Sequence, residues 1–133
     1  MSQENVEIVR GLYAEIWGGG GPPDLASRVD GQVEVIPFPD FPEQTVLFGL
    51  AGFERWTKRW SGMFADYDLQ PERFWEEGDL VVAALHERAT GARSGVPVDQ
   101  HYAHVWTLRQ GLVVRVQVFR SRDEALEAAG LSE

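Results

Sequence analysis

The sequence predicts an α+β domain in which helices cover one face of a curved, mostly antiparallel sheet. Two observations indicate this class. Apolar residues recur every three or four positions in the N-terminal half, the spacing of amphipathic helices, and every second position from Tyr67 onward, the spacing of strands. The 133 residues form one predicted domain, 1–133, because roughly 100 to 150 residues is the common size of a single domain.

The N-terminal half contains three predicted helices. The first covers residues 2–17, with a serine as its N-cap and four consecutive glycines, 18–21, after its end. A second, short helix is predicted over "PPDLASRV", 22–29, because proline suits the first helical position. The third is predicted over 50–65, where large apolar residues follow the helical spacing.

The strands begin with "QVEVIPF", 32–38, in which valine alternates with polar residues before a loop that contains three prolines. Short turns then connect four further predicted strands in an antiparallel meander. A short C-terminal helix is predicted in "RDEALEAAGL", with Gly130 as its stop. The four meander strands are 68–77, 80–89, 98–109 and 112–120.

Charge and composition exclude several classes of partner. The chain has 12 basic and 21 acidic residues, a net charge of -9, whereas nucleic-acid binding relies on clustered Lys and Arg. No apolar run approaches the roughly 18 residues of a membrane span. We therefore predict no nucleic acid and no membrane partner, and expect a cytoplasmic protein. Since the sequence has no cysteine, it has no thiolate metal site and no cysteine nucleophile.

Four segments carry a family resemblance: "ENVEIVRGLYAEIW", "DGQVEV", "LFGLAGFERW", and "AHVWTLRQGLVVRVQVF" followed by "EALEAAGL". With them the chain resembles the ketosteroid-isomerase-like, SnoaL-like branch of the nuclear transport factor 2 superfamily over essentially the whole domain. The resemblance implies a cone: a curved mixed, mostly antiparallel sheet wrapped around three N-terminal helices, with a short C-terminal helix. It further implies an apolar pocket at the wide end, no cofactor, and a homodimer formed through the outer face of the sheet.

Two residues match the oxyanion-binding positions of the isomerases. Tyr13 matches their tyrosine donor, and His104 matches their protonated aspartic acid if the Gln110-Gly111 turn takes a one-residue gap. An imidazole there would donate a hydrogen bond or act as a base, because its ordinary pKa is roughly 6.5. Two other interpretations stay open: Tyr13 as a core aromatic, and His104 as a structural histidine bonded to a neighbour such as Tyr13.

The catalytic aspartate of the isomerases has no counterpart, since Val35 stands at its position. Steroid-type isomerisation by the usual route is therefore excluded. Asp40 or Glu43, in the proline-rich loop, would be a substitute base, unless both are simply solvated. The predicted ligand-binding residues are Trp17, Phe38, Trp60, Phe64, His86, Tyr102 and Trp106.

Three histidines raise the question of a metal. His101 and His104 are three residues apart on a strand, so they face opposite sides. His86 shares a face with His104 if the hairpin pairing is even, but two ligands make a weak site, and we predict no metal.

The predicted function is binding of a small, apolar, carbonyl-bearing molecule, with isomerase- or cyclase-type chemistry by Tyr13 and His104. The alternative is a non-catalytic ligand-binding or dimerisation module of the same fold.

Overall fold

A computed structural model describes residues 3–17, 27–37, 46–61, 66–91 and 93–131. These residues form three helices and one six-stranded sheet with the strand order β2-β1-β6-β5-β4-β3. The predicted α+β class with a curved mixed sheet is confirmed. The elements are α1 (Gln3–Trp17), β1 (Val29–Ile36), β2 (Leu47–Phe48), α2 (Gly49–Ser61), β3 (Asp68–Glu77), β4 (Leu80–Thr90), β5 (Pro97–Arg109), β6 (Leu112–Phe119) and α3 (Arg122–Ala128).

The sheet combines an antiparallel meander with one parallel pair. Strands β3 to β6 pair antiparallel in sequence order, as the period-two pattern predicts, while β1 pairs parallel with β6 and antiparallel with β2. The β5–β6 turn has positive φ at both Gln110 (53°) and Gly111 (80°). Such a turn matches the twist of the two strands it connects.

The pairing of β4 with β5 defines the two faces of the sheet. Val81, Ala83, Leu85 and Glu87 lie opposite Trp106, His104, Tyr102 and Gln100 on the inner face, which packs against α1 and α2. The alternate residues form the outer face, and α3 covers part of it. There, buried apolar residues of β4 and β5 pack against Ala125, Leu126 and Ala129. The Ser121 hydroxyl caps α3 by accepting a hydrogen bond from the Glu124 amide at 3.2 Å.

An ion pair fixes the end of α1 against the start of β1. The Arg28 guanidinium lies 2.7 Å from the Glu15 carboxylate and extends over Gly11. A Cβ at Gly11 would overlap the Arg28 guanidinium, so a larger residue there would require this flexible side chain to shift. The helix that carries Tyr13 is thereby held close to the sheet.

Several predicted boundaries differ from the structure. The short helix predicted over 22–29 was wrong at its end, because buried Val29 begins β1 and pairs with Val113 of β6. The rest of that prediction lies mostly in 18–26, outside the described residues. Strand β2 was missed because two residues show no period. Helix α2 is described as far as Ser61, so the predicted end near residue 65 is outside the described part.

No helix in the described part of the chain combines the length and apolar character needed to cross a membrane.

Candidate functional site

A buried hydrogen-bond chain connects α1 to the inner face of β5. The Tyr13 Oη and His104 Nδ1 atoms are 2.6 Å apart, and Trp106 Nε1 lies 2.8 Å from the same Tyr13 oxygen. An indole N–H only donates, so the Tyr13 oxygen accepts from Trp106. In the Tyr13–His104 bond the tautomer of the imidazole sets which group donates: with the ring hydrogen on Nε2, the Tyr13 hydroxyl donates to Nδ1.

Aromatic rings surround His104. Its ring centroid lies 5.4 to 6.3 Å from five aromatic centroids, and its exposed fraction is 1%. Burial lowers the pKa of His104 from its usual 6.5 to about 3. Burial also raises the pKa of Tyr13 well above its usual range, although the Trp106 hydrogen bond acts in the opposite direction. Both groups are therefore neutral at neutral pH. The five rings belong to Tyr13, Trp17, Trp56, Tyr102 and Trp106.

Glu87 is a buried carboxylate that the sequence analysis missed. It lies on the inner face of β4 with no exposed surface. Its carboxylate accepts hydrogen bonds from the hydroxyls of Tyr67 at 2.6 Å and Tyr102 at 3.2 Å, and from the Gln100 amide. The signal was present in "LVVAALHERA", because the period that turns Ala83 and Leu85 inward also turns Glu87 inward.

Trp17 supplies a second available donor beside His104. Its indole nitrogen is buried and has no hydrogen-bond partner in the part of the chain that the structure describes. The Trp17 ring lies 5.4 Å from the Tyr13 ring and 6.3 Å from the His104 ring, between centroids. A buried unpaired N–H is costly, so this position suits an acceptor atom of a bound molecule.

The structure brings five of the predicted site residues together on the inner side of the sheet. Phe38, Asp40, Glu43 and Phe64 lie outside the described residues, as does the side chain of Trp60. Val35 is fully buried in the main core, so no carboxylate occupies that position. The five residues that meet are Tyr13, Trp17, Tyr102, His104 and Trp106.

His86, predicted as a ligand-binding residue, does not lie with this group, because the hairpin pairing that would place it on the face of His104 does not occur. In the β4–β5 pairing Ala83 lies opposite His104, while His86 lies opposite His101. Since His86 is three residues from Ala83, it faces the outer side of the sheet. There the rings of His86 and His101 stack with their centroids 4.2 Å apart.

Comparison with solved structures supports the fold. A protein provisionally named a SnoaL-like polyketide cyclase, from Jannaschia sp. CCS1, is 22% identical with a TM-score of 0.80, over 97% of this chain and 92% of that one. A nuclear transport factor 2-like protein from Burkholderia xenovorans is 22% identical with a TM-score of 0.76, over 97% of both chains. TerC, co-crystallised with polyporic acid, is 21% identical with a TM-score of 0.72, over 95% of this chain and 97% of that one.

No curated protein sequence matches the chain significantly. The family model of the SnoaL-like domain, in contrast, matches residues 9–116, most of the chain's length. That region contains α1 from residue 9 onward, the whole of β3 to β5 and most of β6, and with them Tyr13, Glu87, His104 and Trp106. The chain therefore belongs to the SnoaL-like domain family.

Proposed function

We propose that the chain binds a small, apolar, carbonyl-bearing molecule against the inner face of the sheet, with the carbonyl oxygen hydrogen-bonded to His104. Membership of the SnoaL-like family supports a ligand-binding or cyclase- or isomerase-type function. The observation that carries the proposal is the neutral chain from Trp106 through Tyr13 to His104, enclosed by aromatic side chains. A neutral, pre-oriented donor in apolar surroundings suits a carbonyl or a developing oxyanion.

In this proposal His104 is a donor and not a base. With its pKa lowered to about 3, the imidazole binds a proton too weakly to take one from carbon at neutral pH. We propose the tautomer in which the Tyr13 hydroxyl donates to Nδ1, which leaves the Nε2–H group for the ligand. Trp17 Nε1, buried and without a partner among the described residues, is a candidate for a second bond to the same ligand.

An acid–base reaction is the second candidate function, and Glu87 is the observation that favours it. A buried carboxylate on a strand would take a proton from carbon next to a carbonyl, in the role that Val35 cannot serve. His104 pairs with Ala83 of β4, and Glu87 lies four residues further along the same strand. The two positions are therefore roughly 13 Å apart along β4. The proposed substrate is therefore an extended, polycyclic molecule. Asp40 stays a predicted alternative base.

Ligand titrations test the binding proposal. We expect polyporic acid and anthrone, both ring-bearing carbonyl compounds, to bind the wild type in isothermal titration calorimetry. His104→Leu removes the donor to the carbonyl, so affinity should fall roughly two- to tenfold, because a hydrogen bond to a neutral carbonyl contributes about 0.5 to 1.5 kcal/mol. The matched control is His101→Leu, the same substitution on the exposed face of the same strand. Equal affinities in the three proteins, measured in metal-free buffer after circular dichroism has verified folding, would overturn the proposal.

Hydrogen exchange tests the reaction. Anthrone carries its carbonyl and its acidic methylene on opposite edges of one ring, much closer together than His104 and Glu87, so it tests proton removal by Glu87 without a simultaneous bond to His104. We expect the wild type in D₂O to accelerate loss of the methylene proton signal in proton NMR, and Glu87→Gln to abolish the acceleration because an amide cannot accept that proton. Binding of anthrone by Glu87→Gln should persist. Exchange at the wild-type rate in this variant would exclude Glu87 as the base.

A homodimer through the outer face of the sheet, a cytoplasmic location and a single domain over 1–133 stay predictions.

A further inference from the structure

The outer face of the sheet carries a cluster of ligand-capable side chains that the proposed function does not use. It consists of Glu72 on β3, His86 on β4 and His101 on β5, and we call it the outer cluster. One possible ligand atom from each of the three lies within 4.8 Å of the other two. Three adjacent strands therefore contribute to one point on the surface, on the opposite side of the sheet from His104.

Strand register and one bulge bring the outer cluster together. His86 and His101 are direct partners in the β4–β5 ladder, and their rings are nearly parallel, at 10°. The β3–β4 register shifts between Pro71 and Arg73, so Glu72 is the extra residue of a bulge. Bulges re-aim side chains. Here Glu72 approaches both rings, with its carboxylate oxygens 3.9 Å from His86 Nδ1 and 3.6 Å from His101 Nε2.

Asp99 orients one of the two histidines. Its carboxylate lies 2.6 Å from His86 Nε2, so that nitrogen donates to Asp99. The other ring nitrogen, Nδ1, is the atom that faces Glu72. A histidine that binds a metal through one nitrogen commonly donates the other N–H to a carboxylate in this way. A cation between His86 Nδ1 and the Glu72 carboxylate would be bound by both groups.

The distances are close to those of a coordinated ion. Two ligand atoms about 2.1 Å from a tetrahedral zinc ion lie roughly 3.4 Å apart. The cluster atoms, up to 4.8 Å apart, are therefore within about 1.4 Å of that distance. Binding requires side-chain rotation, including a turn of one of the stacked imidazoles, because each nitrogen lone pair lies in its ring plane. The Glu72 and His101 side chains are 49% and 63% exposed, so solvent surrounds much of each. Asp99, at 63%, is also solvent-accessible.

We propose that the outer cluster binds one borderline divalent metal ion, such as Zn²⁺, Ni²⁺ or Cu²⁺, through His86, His101 and Glu72, with Asp99 as the orienting partner of His86. Two imidazoles and one carboxylate suit these ions, whereas Mg²⁺ and Ca²⁺ prefer oxygen ligands alone. The ion would connect the edge strand β3 to β4 and β5 and leave at least one coordination position open to water. It would not contact a ligand at His104, which is on the other face.

Calorimetric titration with Zn²⁺ tests the site on the full chain. We expect one ion per chain in the wild type, and roughly tenfold or greater weakening in His86→Asn and in His101→Asn. Asp99→Asn should weaken binding about tenfold, because it loosens the orientation of His86. The matched control is Glu77→Gln, which removes an exposed negative charge from the same strand as Glu72 without touching the cluster. Affinity unchanged between the wild type and the His86→Asn/His101→Asn double variant would overturn the proposal.

Cu²⁺ electron paramagnetic resonance gives a readout that does not depend on affinity. Coordination by both imidazoles predicts nitrogen hyperfine coupling from two nitrogens in the wild type and from one in His101→Asn. If the cluster is only a set of surface ion pairs, the wild type will lack this coupling, and the proposal is wrong. Because the substituted side chains are on the surface, circular dichroism should show that all variants stay folded.

Discussion

The inner and outer faces of the β4–β5 hairpin hold the same residue type in opposite environments. On the inner face, His104 is 1% exposed, hydrogen-bonded to Tyr13 and enclosed by aromatic rings. On the outer face, the His101 side chain is 63% exposed, and it stacks on His86 beside the carboxylate of Glu72. Three residues along one strand separate the two environments.

The comparison shows that environment determines what an imidazole does. Apolar burial on the inner face keeps His104 neutral, which suits hydrogen bonding to a carbonyl oxygen. On the outer face, the carboxylates of Glu72 and Asp99 lie beside His86 and His101, so the same side-chain type takes part in a polar cluster that suits a metal ion. The alternation of side chains along a strand is enough to separate a candidate ligand site from a candidate metal site.

The largest expected effect compares one tryptophan on each face. Trp106→Ala removes a fully buried ring and the N–H donor of Tyr13, so we expect the free energy of unfolding to fall by about 3 to 5 kcal/mol. Trp75→Ala is the matched change on the outer face, where the ring is half-buried under the Arg73 guanidinium. Trp75→Ala should lower the free energy of unfolding clearly less. Urea denaturation measures this free energy in both variants. Equal decreases would contradict the conclusion that the inner face is the better-packed side.

A smaller effect concerns the acid dependence of stability. The unfolded chain protonates this imidazole near pH 6.5, but the folded protein protonates His104 only near pH 3. Between these values the unfolded state binds more protons, so the free energy of unfolding falls as the pH falls, by up to about 1.4 kcal/mol per pH unit. The contribution of His104 is complete above pH 6.5 and is lost on acidification.

His104→Asn should therefore flatten the decline of stability between pH 6 and pH 4, measured by urea denaturation at half-unit steps. His101→Asn is the control, because it removes an imidazole from the exposed face of the same strand. The flattening should be specific to His104. If the free energy of unfolding declines equally with falling pH in His104→Asn and in the wild type, the prediction is wrong. His104 would then be protonated as readily in the folded protein as in the unfolded chain.

Much of the fold was predictable because its signals are local. Period-two alternation predicted the β3–β6 meander, and the Gln110-Gly111 dipeptide predicted a turn that has positive φ at both residues. The alternation of Tyr102, His104 and Trp106 also predicted that these side chains share the inner face. Glu87 follows the same alternation, so its inward direction could have been predicted from the sequence, although it was not.

The periodicity of the sequence could not predict the outer cluster. Alternation within β4 and within β5 assigns faces to each strand separately, and only the register shows that His86 lies opposite His101 and not on the face of His104. The bulge that turns Glu72 toward both rings has no signal in the sequence either, since Pro71 shows only that β3 suits a sheet edge.

The sequence by itself determined the α+β class, the order of the main strands, the acidic charge that argues against nucleic acid, and the inward direction of His104. These properties follow from spacing and composition within single segments. Only the tertiary structure decided which side chains meet: the bond between His104 and Tyr13, 91 residues away, which the sequence left as one of several interpretations, the donors that surround Glu87, and the outer cluster. The physical reason is that pairing register and helix docking depend on contacts between distant segments, which no local pattern contains.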